Sequence, residues 1–438
     1  MDRLSELPDA LLLEILSLLP MEYVVATMFL SKRWRFLWMM VPRLVYDDRY
    51  KNIEKFSMFL DRSLVLHKAP IIEKLHFKLG QTCRNEDLPV WIRAANKSSV
   101  REMVMELDAY SRPSPIIIPR SLYTECRMLV TLSLINVILV DSSSHVSFPC
   151  LKSLKLVYVK YPNPGDEFVK KLLSNCHVLE DLEIVLKGPN DNVTTFTIRV
   201  PSLKSILVIY TLKYIIDDHS FVIDAPSLEH LKILDHNGRL CVIENNMPKL
   251  ENAAIEISCF LPGKILASIT SHPMQDVYPT SCVFPSLVRL TICTCDQPWV
   301  DLLMCMLRVS PNLRDLELDM VHRSKHELFI FLLPVYICCS NLYPRHYSVL
   351  TDQPLHASWN EASLVPECLL SSLENLVWKG FEGTKAGKEV AAFILRSGNC
   401  LKKATIYSKT TDLNKKLEMI KELSLSPRGS RTCQLLFD

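Results

Sequence analysis

Three stretches of this 438-residue chain gather side chains that could do chemistry. In HRSKH, residues 322–326, His322 and His326 stand four apart, a spacing at which two imidazoles on one helix face can hold a metal ion. The pair lacks the glutamate of H-E-x-x-H and has no obvious third ligand, so a solvated polar turn is the plainer reading. In GTKAGKE, residues 383–389, Gly383 and Gly387 are one residue too close for a phosphate-cradling loop, and Glu389 replaces the hydroxyl that would hold magnesium. In LSKRWRFLW, residues 30–38, Trp34, Phe36 and Trp38 alternate with Lys32, Arg33 and Arg35. Such a mixture can stack on bases, but only where its rings stay exposed. The carboxylates of LEDLEI (179–184) and LRDLEL (313–318) alternate with leucines, as the outward residues of a strand do. They read as a solvated or partner-binding face rather than an acid/base pair. The 15 cysteines have an odd count and no zinc spacing; CTC at 293–295 and CC at 338–339 read with the rest as reduced, buried thiols. There is no G-x-S-x-G elbow. No catalytic residue, cofactor or metal is therefore expected.

The composition agrees. Only 10 of 438 residues are glycine, too few to suggest loops that approach a nucleotide closely. The net charge of +2 gives no basic excess for a nucleic acid. The apolar run ALLLEILSLLP (10–20) follows Asp2, Glu6 and Asp9 and contains Glu14, so it is neither a signal peptide nor long enough to span a bilayer. A soluble chain, cytoplasmic and/or nuclear, with no nucleic-acid or membrane partner, is expected.

The first forty residues predict three short helices. Pro8 and Asp9 suit a first turn, Leu11, Leu12, Ile15, Leu16 and Leu19 recur at helical spacing, and Pro20 ends the element. Val24, Val25, Met28 and Phe29 mark a second helix, and Ser31 can cap a third that carries Trp34 and Trp38 on one face. Lys32, Arg33 and Arg35 are expected to extend to solvent over the rings. So small a unit cannot bury all its large apolar groups, and part of its surface must meet a following domain or a partner.

Residues 4–38, LSELPDALLLEILSLLPMEYVVATMFLSKRWRFLW, resemble an F-box, with Met28-Phe29 where smaller residues often stand. The resemblance implies docking on the Skp-type adaptor of a cullin-based (SCF) ubiquitin ligase. Carried over by position, the adaptor-contacting residues are Leu7, Pro8, Ile15, Leu16, Leu19, Pro20, Val24, Leu30 and Trp34.

A phrase then recurs: FPCLKSLKL (148–156), VPSLKSILV (200–208), APSLEHLKI (225–233), FPSLVRLTI (284–292) and SPNLRDLEL (310–318). With weaker copies, the first leucine-type position falls at Ile72, Val100, Leu129, Leu151, Leu179, Leu203, Leu228, Leu250, Leu287, Leu313, Leu373 and Leu401. Most intervals are 22–29 residues, the period of leucine-rich repeats. The last two apolar positions of each copy are two apart and so share one face of a short strand. DEFVKKLLSNC (166–176) and VDLLMCMLRVS (300–310) have helical periodicity and supply the outer side. The asparagine that regularises many such arrays is nearly absent, Cys295 being the clear match at its position. The interval from Leu313 to Leu373 is 60 residues and should hold a degenerate unit or a loop, with 336–367 its irregular part.

From about 359, the sequences VPECLLSSLENLVWKGFEG (365–383), EVAAFILRSGNCLKKATI (389–406) and SPRGSRTCQLLF (426–437) resemble the FBD domain of plant F-box proteins. Together the resemblances identify a plant-type F-box/FBD/leucine-rich-repeat protein. They imply an α/β fold: a three-helix F-box (1–45), an irregular leucine-rich-repeat solenoid with short parallel strands inside and helices outside (46–358), and an FBD cap (359–438). The implied function is non-catalytic: a substrate-recognition subunit that binds an adaptor, through it a cullin, and an unnamed target protein on the repeats. The alternative is a repeat scaffold whose F-box does not engage an adaptor.

Overall fold

The computed structural model describes residues 6–48, 53–80, 83–108, 116–140, 146–186, 192–210, 220–235, 240–257, 283–294, 299–320 and 365–438. They fall into two compact units divided between Leu203 and Lys204. Both are α/β, and the strands of their main sheets run parallel.

The N-terminal unit begins with three helices, α1 (Asp9–Leu16), α2 (Met21–Ala26) and α3 (Trp34–Leu37). Pro8 and Pro20 stand at the N-caps of the first two, where a missing N–H is harmless. Ser31, expected as the cap of the third, is not: Arg33 occupies that position without a side-chain cap bond. Repeating strand units follow: β1 (Arg43–Asp47), α4 (Ile53–Leu66), β2 (Lys74–Leu79), α5 (Leu88–Asn96) and β3 (Glu102–Leu107). Then come β4 (Ile116–Ile117), α6 (Ser121–Glu125), β5 (Thr131–Ile135), β6 (Val137–Ile138), β7 (Ser153–Val157), α7 (Gly165–Ser174), β8 (Asp181–Leu186) and β9 (Thr195–Arg199). The sheet order β1-β2-β3-β5-β7-β8 places each strand beside its successor in the chain of repeats.

In the C-terminal unit, β10 (Ser205–Tyr210), β11 (Ser220–Asp224), β12 (His230–Asp235), β13 (Leu240–Ile243), β14 (Asn252–Ile257) and β15 (Arg289–Cys293) precede α8 (Trp299–Val309) and β16 (Asp315–Asp319). The unit ends with α9 (Glu367–Ser371), β17 (Asn375–Phe381), α10 (Lys385–Ser397), β18 (Lys403–Ser408), α11 (Leu413–Ser424) and β19 (Gln434–Phe437). Its main sheet runs β10-β12-β14-β15-β16-β17-β18-β19.

All twelve repeat positions named above, from Ile72 to Leu401, are 2% exposed or less. Each lies two residues before an inner strand. The residue after it supplies the contact between rungs. The carbonyl of Lys152 accepts the N–H groups of Glu180 and Asp181, at 2.8 and 2.9 Å. Val130, Lys204, Glu229, Glu251, Val288, Arg314 and Glu374 do the same for the next rung of their own unit. This backbone ladder satisfies the amides that enter each strand, which an asparagine ladder does elsewhere. Side chains also bridge rungs among the described residues: Asn136, with φ +59°, donates Nδ2–H to the Leu107 carbonyl at 2.9 Å, and Asn192 donates to the Tyr161 carbonyl at 3.0 Å. Cys295 lies outside the described residues.

One finding on the repeats departs from the sequence reading: the outer layer is not helical throughout. β9, and the parallel pair β11–β13, stand where helices were expected, because TFTIR, SFVID and LCVI are β-branched and aromatic. For the 60-residue interval from Leu313 to Leu373, where a degenerate unit or a loop was expected, no rung is added to the sheet between β16 and β17: the two pair directly, Asp315 opposite Asn375. Most of 336–367 lies outside the described residues.

Candidate functional site

The N-terminal helices divide their apolar groups sharply. Leu12, Leu16, Met21, Val24, Trp34, Leu37 and Trp38 are buried and form the interior of the module. Leu11, Ile15, Leu18, Leu19, Tyr23, Phe29, Leu30 and Phe36 are exposed, Leu18 at 79% and Phe29 at 84%. Helical periodicity is the cause. With leucine or isoleucine at most positions from 11 to 19, α1 has two apolar faces, and one small core takes only one of them. So many exposed large apolar side chains on so small a module mark a surface that a partner covers.

Of the nine positions carried over by resemblance, Pro8, Ile15, Leu19 and Leu30 are exposed, and Leu7 and Pro20 are half-buried. Leu16, Val24 and Trp34 are buried at 1%, 0% and 4% exposure, beneath that surface rather than on it. Leu18, Tyr23 and Phe29 were not among the nine; Leu18 lies three residues after Ile15, a helical offset that could have found it, whereas Tyr23 and Phe29 lie beyond Pro20 on other elements, where no offset from Ile15 reaches them.

Arg33 also differs from expectation. Its guanidinium does not simply extend to solvent. Nε and Nη2 donate to Asp9 Oδ1 at 2.9 and 2.5 Å, and Nη2 donates to the Leu7 carbonyl at 2.6 Å. Arg33 therefore ties the closing segment to the opening turn, with two of its nitrogens on one carboxylate oxygen of Asp9 and one of them shared with a backbone carbonyl. Arg35 lies 5.9 Å from the centre of the Phe36 ring. Trp34 and Trp38 are both buried, so LSKRWRFLW offers no indole for stacking on a base.

The outward residues of the inner strands form a second candidate surface. Lys155 and Glu183 meet at 2.8 Å, Lys74 and Glu102 at 2.6 Å, and His76 and Glu106 at 3.3 Å in the N-terminal unit. Lys379 and Glu317 meet at 2.7 Å in the C-terminal unit. Neighbouring rungs thus carry opposite charges, a polar face suited to choosing a protein partner more than to doing chemistry.

The chemical candidates resolve differently. The GTKAGKE stretch is the start of α10: the Thr384 hydroxyl accepts the Gly387 N–H at 3.2 Å as a helix cap. HRSKH and the CC pair lie outside the described residues, as does Cys295 of CTC. Among the described residues no group of three His, Cys, Asp or Glu could hold a metal, and no helix is long and apolar enough to cross a membrane. Burial pushes the thiols of Cys126, Cys176 and Cys368 up to about 12, which leaves them protonated and unreactive near neutrality.

Comparison with known proteins fits this geometry part by part. The F-box domain family matches residues 4–46 and the FBD family 360–406. The leucine-rich-repeat family described for the FBD-associated F-box protein At5g56370 matches 88–253. The chain is 53% identical to the Arabidopsis thaliana "Probable FBD-associated F-box protein At1g32375", with all of both chains covered. It is 51% identical to "Putative FBD-associated F-box protein At5g50270", over 96% of this chain and all of that one, and 42% identical to "F-box/FBD/LRR-repeat protein At5g56420", over 100% and 99%; both are from the same plant.

Proposed function

Since the chain belongs to the plant family of FBD-associated F-box proteins with leucine-rich repeats, we propose that it is a substrate-recognition subunit of an SCF-type ubiquitin ligase. F-box proteins generally act in that role. The F-box holds a Skp-type adaptor and through it a cullin. The charged face of the repeats holds a target protein, and ubiquitin transfer is performed by other subunits, so this chain contributes positioning rather than catalysis. The working division is F-box 1–45, repeats 46–358 and FBD 359–438, with the FBD ending the array and the assembly acting in the cytoplasm and/or nucleus.

One observation carries this reading: Ile15, Leu18, Leu19, Tyr23, Phe29 and Leu30 of the small helical module are exposed, while Leu16, Val24 and Trp34 are buried in its interior. The bulk of Phe29 points outward, so the Met28-Phe29 pair does not crowd the interior. The buried residues support the module and the exposed ones touch the adaptor. Co-purification with a Skp-type adaptor tests the reading. Ile15→Asp with Leu30→Asp puts two charges into an apolar contact and should weaken binding by roughly ten-fold or more, the loss expected at interface hot spots. Undiminished binding by a folded double variant sinks the adaptor reading and leaves the repeat scaffold.

A further inference from the structure

We propose that Arg33 is a positioning residue for the adaptor: it fixes Leu7 and Pro8 in their docking arrangement before the partner arrives. This placement matters only if the F-box holds an adaptor, so it rests on the function proposed above. Leu7 and Pro8 open the helical module, and the turn that follows them has little apolar anchorage. Pro8, Asp9, Ala10 and Leu11 are all exposed, and the first buried side chain of α1 is Leu12. Pro8 stands at the N-cap without a side-chain cap bond. With eight residues, α1 is too short to hold its own first turn in water. Among the described residues, the hydrogen bonds that join 7–11 to a later element are those of Arg33.

Arg33 reaches across from a fixed base, since Trp34, Leu37 and Trp38 beside it are buried. Nε and Nη2 donate to the side chain of Asp9, the first residue of α1, and Nη2 donates also to the Leu7 carbonyl. One guanidinium thus grips both sides of Pro8. The proline ring already locks φ at the residue between the two grips, so with its neighbours held the opening has few conformers left. Released, the turn frays as helix ends do, and the adaptor binds only the fraction of chains in which it is in place. If that fraction is about one in five, the apparent Kd rises about five-fold. Global stability hardly changes, because the Arg33 and Asp9 side chains are 36% and 63% exposed and an exposed pair adds little to folding. Weakened docking on an unchanged fold is the signature of such a residue.

Titration of the full chain against a Skp-type adaptor, with thermal melts alongside, tests this. Arg33→Gln should raise the Kd roughly three- to ten-fold while the melting midpoint stays within about 2 °C of wild type. Asp9→Asn should show part of that loss, and none further once Arg33 is gone. A chain carrying Leu7→Ala and Pro8→Ala lacks the contacts that Arg33 positions but keeps Ile15, Leu19 and Leu30 for measurable binding. In that background Arg33→Gln should have little further effect. A wild-type chain that ignores the adaptor overturns the adaptor reading and this inference with it. Where wild type binds, equal affinity of Arg33→Gln overturns this inference alone. So does an undiminished loss in the Leu7→Ala, Pro8→Ala background, which would mean that Arg33 touches the adaptor itself. So does a melting midpoint that falls well beyond 2 °C, about the limit for an exposed pair, which would make Arg33 a residue of the fold.

Discussion

His67 carries one imidazole nitrogen that is satisfied and one that is not. Nε2 lies 2.9 Å from the Val41 carbonyl and must carry the proton there, while buried Nδ1 has no partner. Burial holds its pKa below the ordinary 6.5, the carbonyl opposing this only in part. The folded state therefore favours neutral imidazole. As pH falls below 6.5 the unfolded chain takes up a proton that the folded chain resists, so stability declines from there down to the depressed folded value. Thermal melts at descending pH should show that decline, and His67→Gln should flatten it in this window. Trp91 provides a second test. Its buried indole N–H donates to the exposed Asp61 carboxylate at 2.6 Å. Asp61→Ala strands that donor and should cost about 1–3 kcal/mol in denaturant unfolding. Neither contact was legible in the sequence, because the partners are 26 and 30 residues apart and nothing in their local pattern announces them. The Arg33–Asp9 pair, 24 residues apart, was hidden for the same reason.

At the scale of elements, legibility followed repetition. The leucine before each inner strand was found because the same residue recurs in the same phrase, and every such position is buried. The strand β1 was missed: it follows Val41, also buried, but its phrase VPRLVYD falls between the end of the F-box resemblance at 38 and the first repeat copy at Ile72, and it lacks the repeated leucine phrase. The outer strands β9, β11 and β13 were missed because the template recorded only the inner side of each repeat. For α1 the periodicity gave two apolar faces and could not choose between them; packing chose Leu12 and Leu16 for the interior. The relative weights can be checked. Leu313→Ala leaves a cavity in a layer with no access to water and should cost about 2–5 kcal/mol. Lys379→Ala breaks a part-exposed pair with Glu317 and should cost at most about 1 kcal/mol. Equal losses in the two variants would show that the leucine layer is not what holds the rungs.

For the whole molecule, the two candidate surfaces should be separable by mutation. Glu183→Ala with Glu317→Ala alters the charged strand face in both units and leaves the N-terminal helices untouched. Proximity labelling under proteasome inhibition should then lose target proteins while adaptor and cullin remain. Loss of adaptor together with targets would instead indicate a fold defect or a shared interface. Order along the chain was readable without any contact information: an N-terminal helical module, parallel strand units, and an FBD region whose β17 and β18 join the same sheet as β16.

At most rungs the carbonyl that follows the buried leucine-type residue accepts two amides of the next rung, and Arg314 does so for Glu374 and Asn375 across 60 residues of chain. Rung spacing is thus written in a backbone bond and one leucine, and is indifferent to how much polypeptide is slung between rungs. A gene encoding such a ladder can lengthen, shorten or replace an excursion between two rungs without shifting the address of any residue on the strand face. Novelty in the excursions and constancy in the ladder are then inherited separately, which gives recognition surfaces a way to drift while the frame that displays them stays in register.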